Sequence, residues 1–416
     1  MTAPPLMSER RVGALGGLLV ATGPVAMALY TPSMPSIAAE LGTTESMVQL
    51  TLAVFFGGFA IAQLVAGPLS DALGRRPVVL GFMLLFLAGS LTAMLATSIE
   101  VLILGRLLQG VGAAVGITTA RALVRDLFQG QQSSRILNMI GIILAVAPAI
   151  SPAIGSVVLV AGGWRWVFVL MVLYGAALML TVVLAMRETV ARDLDRLAPR
   201  MLLRNYRTLL GSGHFMLATG VVTGAIGTFY ALAAILPFIL MERVGLTPME
   251  FGIGMMLQSG SFLTGAVVMR LLMARMNAYR LAAAGVGLIL LGSIGALRLI
   301  WVEPDFLSVM LPVAIYAPGI AFVMPAMTTS AMAPFPAIAG SASALMGFLQ
   351  MASGLVAGMA AAILGDAVLA MGLFVPMLGA LSALCYIAHR RLPALHESKP
   401  APDISDKSVA TPVIGP

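Results

Sequence analysis

Gly67-Pro68-Leu69-Ser70-Asp71-Ala72-Leu73-Gly74-Arg75-Arg76-Pro77-Val78 is the densest polar cluster in the first half of an otherwise apolar chain. It falls where one long hydrophobic run ends and the next begins. A small residue such as Gly67 lets a neighbouring helix approach closely. Gly74 permits a turn that an ordinary residue resists. Asp71 is an acid at a helix end, placed to meet a neighbouring helix N-terminus or an arginine. The plainer reading of the segment is a short loop whose arginine pair sets topology.

Around this cluster the chain is 60% hydrophobic and 10% charged over 416 residues. Soluble domains carry about 25% charged residues, so the solvent for this surface is lipid. The formal net charge is +7, almost all of it from arginine, because the lysines are only Lys399 and Lys407. A basic balance raises nucleic acid as a partner. Here the arginines fall in short loops between apolar runs, so they set membrane topology, and no nucleic-acid partner is expected. Cys385 is alone and in a late apolar run, which excludes a disulfide or thiolate-metal framework. Three scattered histidines and one cysteine supply neither a nucleophile–base pair nor metal ligands. The expectation is therefore no enzyme, no cofactor and no metal. Residues 1–11 are short and polar, and the run after them lacks a small-residue cleavage site. It reads as a first spanning helix rather than a removed signal.

A spanning helix needs about 20 apolar residues. Runs of that length cover 12–32, 47–69, 77–97, 100–122, 136–160, 164–186, 212–240, 249–272, 280–301, 305–332, 338–363 and 367–389. They are continuous rather than alternating, so they are helices and not barrel strands. The fold class expected is an all-α membrane protein of twelve spans in two pseudo-symmetric six-helix bundles. With the N-terminus in the cytoplasm, only Arg106, Arg165, Arg243 and Arg298 of the 24 Lys and Arg lie outside or within spans. The positive-inside rule then places both termini inside. The hydrophilic stretch 187–207 leaves six spans on each side. The organisation is a cytoplasmic N-terminus 1–11, a bundle 12–186, a linker 187–211, a second bundle 212–389, and a disordered tail 390–416.

Two further segments carry chemistry. In Leu104-Gly105-Arg106-Leu107-Leu108-Gln109-Gly110-Val111-Gly112, Arg106 is an ionised group inside an apolar span, a functional-site candidate by default. Gln109 lies about one turn away. Alternatively, Arg106 snorkels to the outer interface. In Ala147-Pro148-Ala149-Ile150-Ser151-Pro152-Ala153-Ile154-Gly155-Ser156, two prolines four apart make a kinked, small-faced helix, or a plain packing seam.

Segment 67–78 resembles motif A of the major facilitator superfamily. The string from Arg106 to Gly110 resembles its motif B, and the segment with Pro148, Pro152 and Gly155 resembles motif C, the antiporter motif. Tyr30-Thr31-Pro32-Ser33-Met34-Pro35 at the end of span 1 and Arg121-Ala122-Leu123-Val124-Arg125-Asp126 at the end of span 4 add detail. With Gly163-Trp164-Arg165-Trp166, Phe229-Tyr230 with Pro237, and Gly340–Gln350, they look like the Bcr/CflA group of drug:proton antiporters. The resemblance covers residues 12 to 390. It implies that Gly67, Asp71, Gly74, Arg75 and Arg76 form a state lock. The acid and arginines would hold the inner ends of the two halves together when the carrier faces outward. The corresponding loop around Arg270 to Arg280 lacks the Gly-x-x-x-Asp frame, so the lock is one-sided. The resemblance also implies a coupling role for Arg106 and Gln109.

Relatives in this group usually carry an acid in span 1, but Ala26-Met27-Ala28-Leu29-Tyr30 has none. All 17 acids lie at span ends, loops or tails, leaving Asp71 and Asp126 as candidates for the exchanged proton. A cavity without acids and with Arg106 favours neutral or anionic cargo. In this superfamily spans 1, 4, 7 and 10 line the pathway, helped by 2, 5, 8 and 11. The substrate-contacting candidates there are Tyr30, Gln63, Phe229, Tyr230, Gln258, Met346 and Gln350, besides Arg106 and Gln109. Each is otherwise a helix-packing residue. The 29 methionines offer a soft, adaptable lining. The expected function is an inner-membrane bacterial exporter of small, largely apolar compounds by alternating access, with the proton as coupling ion. A metabolite or siderophore exporter, or an ion-independent facilitator, are the same-fold alternatives. The expected partners are membrane lipid and a small-molecule substrate, for a monomer.

Overall fold

Twelve helices are long and apolar enough to cross a bilayer in the computed structural model, which describes residues 6–194 and 199–393. The expected tail and parts of the expected linker lie outside the described residues. Span 1 is α1 (Glu9–Ala28), a 3-10 turn Thr31–Ser33 and α2 (Met34–Glu40). Spans 2 and 3 are α3 (Glu45–Leu73) and α4 (Arg75–Met94). Span 4 is α5 (Ile99–Ala113) running into α6 (Val115–Leu127). Spans 5 and 6 are α7 (Gly130–Gly162) and α8 (Trp164–Ala185). The linker contributes α9 (Pro199–Leu210). Span 7 is α10 (Gly213–Pro237) with a π turn Phe238–Arg243. The remaining spans centre on α11 (Pro248–Met273), α12 (Ala278–Leu297), α13 (Phe306–Met332), α14 (Ala339–Leu364) and α15 (Ala367–Arg390).

Span 1 departs from its expected end. The α-helix breaks after Ala28, a 3-10 turn covers Thr31–Ser33, and the span then resumes as α2 to Glu40. Pro32 and Pro35 sit in the first turn of the helical segments that follow, where a missing N–H costs nothing. Span 7 absorbs Pro237 differently. The proline's freed carbonyl is followed by wider i→i+5 turns over Phe238–Arg243.

The packing repeats itself across the chain. Span 2 packs on 4, and 8 on 10; 3 packs on 6, and 9 on 12; 1 packs on 5, and 7 on 11. Each pair becomes the next by adding six to the span number, which is the signature of two structurally repeated halves. The halves meet along α3 against α14 and α7 against α11. These two contacts exchange under the same operation. The fold is therefore two six-helix bundles around a pseudo-twofold axis. The end holding segment 67–78 and α9 is called here the arginine-rich end.

The α3–α14 seam is built from small residues. A Cβ on Gly358 would lie 2.9 Å from Ala53 Cβ, and one on Gly354 would meet Phe56 and Tyr230 at 2.9 Å. In lipid, where apolar burial does not drive helix association, such close backbones gain their attraction from van der Waals contact.

Candidate functional site

Segment 67–78 folds as the end of α3, a one-residue turn and the start of α4. Gly74 makes the turn at φ +101°, a conformation L side chains rarely adopt. Gly67 makes no close approach: a Cβ there would meet nothing within 4 Å. The expectation of tight packing at Gly67 is thus corrected, because that face of α3 looks into open space.

Arg75 is the hub. Its side chain is buried and donates to Asp71 Oδ1 at 2.5 Å, to Asp126 Oδ2 at 3.1 Å and to Ser70 Oγ at 3.1 Å. Arg125 approaches Asp71 at 4.0 Å and Asp126 at 3.8 Å. Arg76 turns away, donating Nη2 to Val183 O of α8 at 2.7 Å. Glu188, just past α8, accepts the main-chain N–H groups of Arg75 and Arg76. Thr189 Oγ1 donates to Asp126 at 3.0 Å, and the main-chain N–H of Asp193 donates to Ala72 O at 2.8 Å. Among the described residues the side-chain partners of Asp71 and Arg75 are Ser70, Arg125 and Asp126, all in the first half. Among the described residues the side-chain network of this acid and Arg75 is internal to the first bundle, and no bond from it reaches the second. A bond that crosses directly between the bundles at this end is Arg121 Nη1 to Ser343 Oγ, 2.7 Å.

Arg106 is fully buried inside the first bundle. Its guanidinium lies 4.3 Å from the Tyr30 ring centroid and 4.4 Å from that of Phe55. Nη1 donates to Gln109 Oε1 at 2.7 Å and to Ala26 O at 3.2 Å, while Gln109 passes a bond to Ser90 Oγ at 2.8 Å. Tyr30 Oη is hydrogen-bonded to Thr51 Oγ1 at 2.6 Å. Among the described residues no carboxylate pairs with the cation, so two aromatic faces and carbonyl-type oxygens solvate it. Tyr30, Arg106 and Gln109 are all sealed from any pathway. The cavity-facing positions expected for them are corrected, since Phe55 of α3 and Phe168 and Met171 of α8 pack against them. The nearby glycines have a packing reason. A Cβ on Gly110 would lie 2.1 Å from Phe55 O, and one on Gly112 2.3 Å from Phe86 N.

α7 runs unbroken through Pro148 and Pro152. Gly155 lets it cross the end of span 1, where a Cβ would sit 2.4 Å from Leu29 O and 3.0 Å from Pro32 Cγ. One residue on, Ser156 and Ala153 meet Gly252 of α11, so the motif lies on the joint between bundles.

The other cargo candidates divide. Tyr230 stacks on Phe56 across the halves, centroids 5.0 Å apart, with Phe229 beside it. Gln63 is buried in the seam against Gly347, and Gln258 is buried on α11; both carbonyl oxygens lack a partner among the described residues. Gln350 is half-buried on α14. Met346 packs with Leu209 and Phe215 in a small core at the arginine-rich end, which Leu64 of α3 joins. At the opposite end α2 packs on the π turn Phe238–Arg243. There the Glu242 carboxyl comes within hydrogen-bond reach of Glu45, the first residue of α3. Sequence reading missed this pair, because its members are nearly two hundred positions apart and each looks like an ordinary loop acid.

Residues 16–359 match the family described as the Major Facilitator Superfamily. The chain belongs to the major facilitator superfamily. It is 31% identical to "Multidrug resistance protein D" of Escherichia coli (strain K12), over 89% of this chain and 93% of that one. It is 29% identical to a "Chloramphenicol resistance protein" of Pseudomonas aeruginosa, over 77% and 76%. A solved D-xylose-proton symporter superposes with a TM-score of 0.70 at 15% identity, covering 92% of this chain and 97% of that one. As a major facilitator the protein is a multi-pass transporter of the bacterial inner membrane and not an enzyme. The resemblance to drug-exporting members drawn from its loop motifs is met by relatives named for multidrug resistance.

Proposed function

We propose that this transporter exports small, largely apolar compounds by alternating access, in exchange for protons, with both termini cytoplasmic. The observation that carries the reading is the seam itself. Cargo would be held between the bundles by the Phe56–Tyr230 stack and Phe229, with Gln63, Gln258 and Gln350 as sparse polar contacts. The lining is apolar and carries no charge, which suits neutral compounds. The names of the relatives agree with such cargo. The arginine excess at the end with segment 67–78 supports the orientation. There the Arg75 network shapes the inner edge of the first bundle, and Arg121 reaches the second.

For the proton, Asp71 and Asp126 are both tied into ion pairs with Arg75 within one bundle. Glu45 and Glu242 are better placed. Two carboxyls in mutual reach attract only when one is protonated, and repel when both are charged. A pair joining the two bundles therefore links proton occupancy to the closure of the outer mouth.

The test is flux in everted vesicles with a pH-sensitive dye over a panel of neutral compounds. Substrate-dependent proton movement that weakens in Glu242→Gln is expected. Transport indifferent to uncouplers would remove the exchange. One observation favours that second reading, an ion-independent facilitator: none of the 17 acids falls in the middle of a span.

A further inference from the structure

The linker helix α9 carries Arg200, Arg204 and Arg207 and no acid. At about 100° per residue its sides separate cleanly. One side faces protein. Leu209 is buried there, Tyr206 Oη donates to Leu64 O of α3 at 2.8 Å, and Asn205 Nδ2 donates to Ser341 Oγ of the α14 start at 3.4 Å. Burial pushes the Tyr206 hydroxyl up to about 12, so it stays a donor. The helix is thus bonded to both bundles. The next side is apolar and bare: Leu203 and Leu210, two turns apart, are 70% and 52% exposed. Beyond them the three arginines form an exposed row.

Depth identifies what covers this face. Leu64 lies about 28 Å along α3 from Glu45 at 1.5 Å per residue, and the hydrocarbon layer is about 30 Å thick. α9 therefore rests where acyl chains give way to headgroups. Bare leucines beside a row of arginines are the pattern of a helix lying in that boundary. A guanidinium binds phosphate oxygens through two parallel N–H bonds.

We propose that α9 is a docking surface for anionic phospholipid: Arg200, Arg204 and Arg207 bind headgroup phosphates while Leu203 and Leu210 enter the acyl boundary. Because α9 holds Leu64 in one bundle and Ser341 in the other, lipid bound there steadies the contact between them. An acidic headgroup adds a field that a zwitterionic one lacks, and it falls off with salt.

The experiment uses the full chain in nanodiscs of phosphatidylcholine and of phosphatidylcholine mixed with phosphatidylglycerol. Amide hydrogen exchange over residues 199–210 is expected to slow about tenfold in the anionic discs, less so at high salt. The variant Arg200→Gln/Arg204→Gln/Arg207→Gln is expected to lose that difference with exchange elsewhere unchanged. Leu203→Ser, which keeps every charge, is expected to reduce it. Equal exchange in the two discs for the unaltered protein would overturn the proposal without recourse to any variant. So would slowing that survives loss of the arginines. Slowing produced in phosphatidylcholine discs by soluble glycerol 3-phosphate would assign the arginines to a free phosphate and also overturn it.

Discussion

Glu188 Oε1 accepts the main-chain N–H of Arg75 at 2.8 Å, from 113 positions further along the chain. Its second oxygen takes the N–H of Arg76 at 3.0 Å. A carboxylate thus caps the first turn of α4, where unpaired N–H groups and the helix dipole favour negative charge. The cap fastens the start of the linker to the arginine network. Glu188→Ala is expected to cost about 1–2 kcal/mol and to slow transport, since Arg75 loses its backbone anchor. Thermal unfolding in detergent and a flux assay check both. Unaltered unfolding would show that the cap carries no load.

The two acids around Arg75 differ in exposure: the Asp126 side chain is 16% exposed and that of Asp71 44%. An exposed pair is worth about 0–1 kcal/mol, whereas charge-assisted bonds in a shielded site are worth about 1.5–3 kcal/mol. Asp126→Asn is therefore expected to destabilise more than Asp71→Asn. Measured unfolding midpoints in the reverse order would contradict this account of the network.

Glycines in the first bundle are not equivalent. Gly110→Ala would drive a Cβ to 2.1 Å from Phe55 O, and Gly116→Ala to 2.0 Å from Leu19 O, both rigid backbone atoms. Each is expected to cost about 1–3 kcal/mol or more. Gly67→Ala has open space and is expected to be neutral or slightly stabilising within its helix. Yield of folded protein and melting temperature of the three variants test the ranking.

Arg106 is caged rather than exposed, so its substitution is expected to change stability and not cargo charge preference. Arg106→Lys keeps the charge but loses the flat stack on Tyr30 and Phe55 and the fixed bond to Gln109. A loss of about 1–2 kcal/mol is expected for it. Arg106→Ala adds a cavity and should cost about 3–5 kcal/mol. A folded Arg106→Ala protein that switched its preference from neutral to cationic compounds would show that the guanidinium does reach the pathway.

The number of spans, their helical character and the division into halves were legible because they are local. The bilayer sets the run length, and 187–207 is the one long polar break. Segment 67–78 was recognisable for the same reason: glycine, acid and arginine fall within a few residues. The end expected for span 1 at residue 32 fell short of Glu40, because Pro32 and Pro35 sit in the first turns of the helical segments that carry the span on.

What Arg106 touches, what Gly155 approaches, and the meeting of Glu45 with Glu242 are contacts between distant segments. Sequence spacing carries no measure of them. The twelve spans and their arginine asymmetry were decided by the chain alone, because lipid forces every backbone group to be satisfied within its own helix. The partners of each buried charge were decided only by the tertiary structure, because they depend on how two repeated bundles cross.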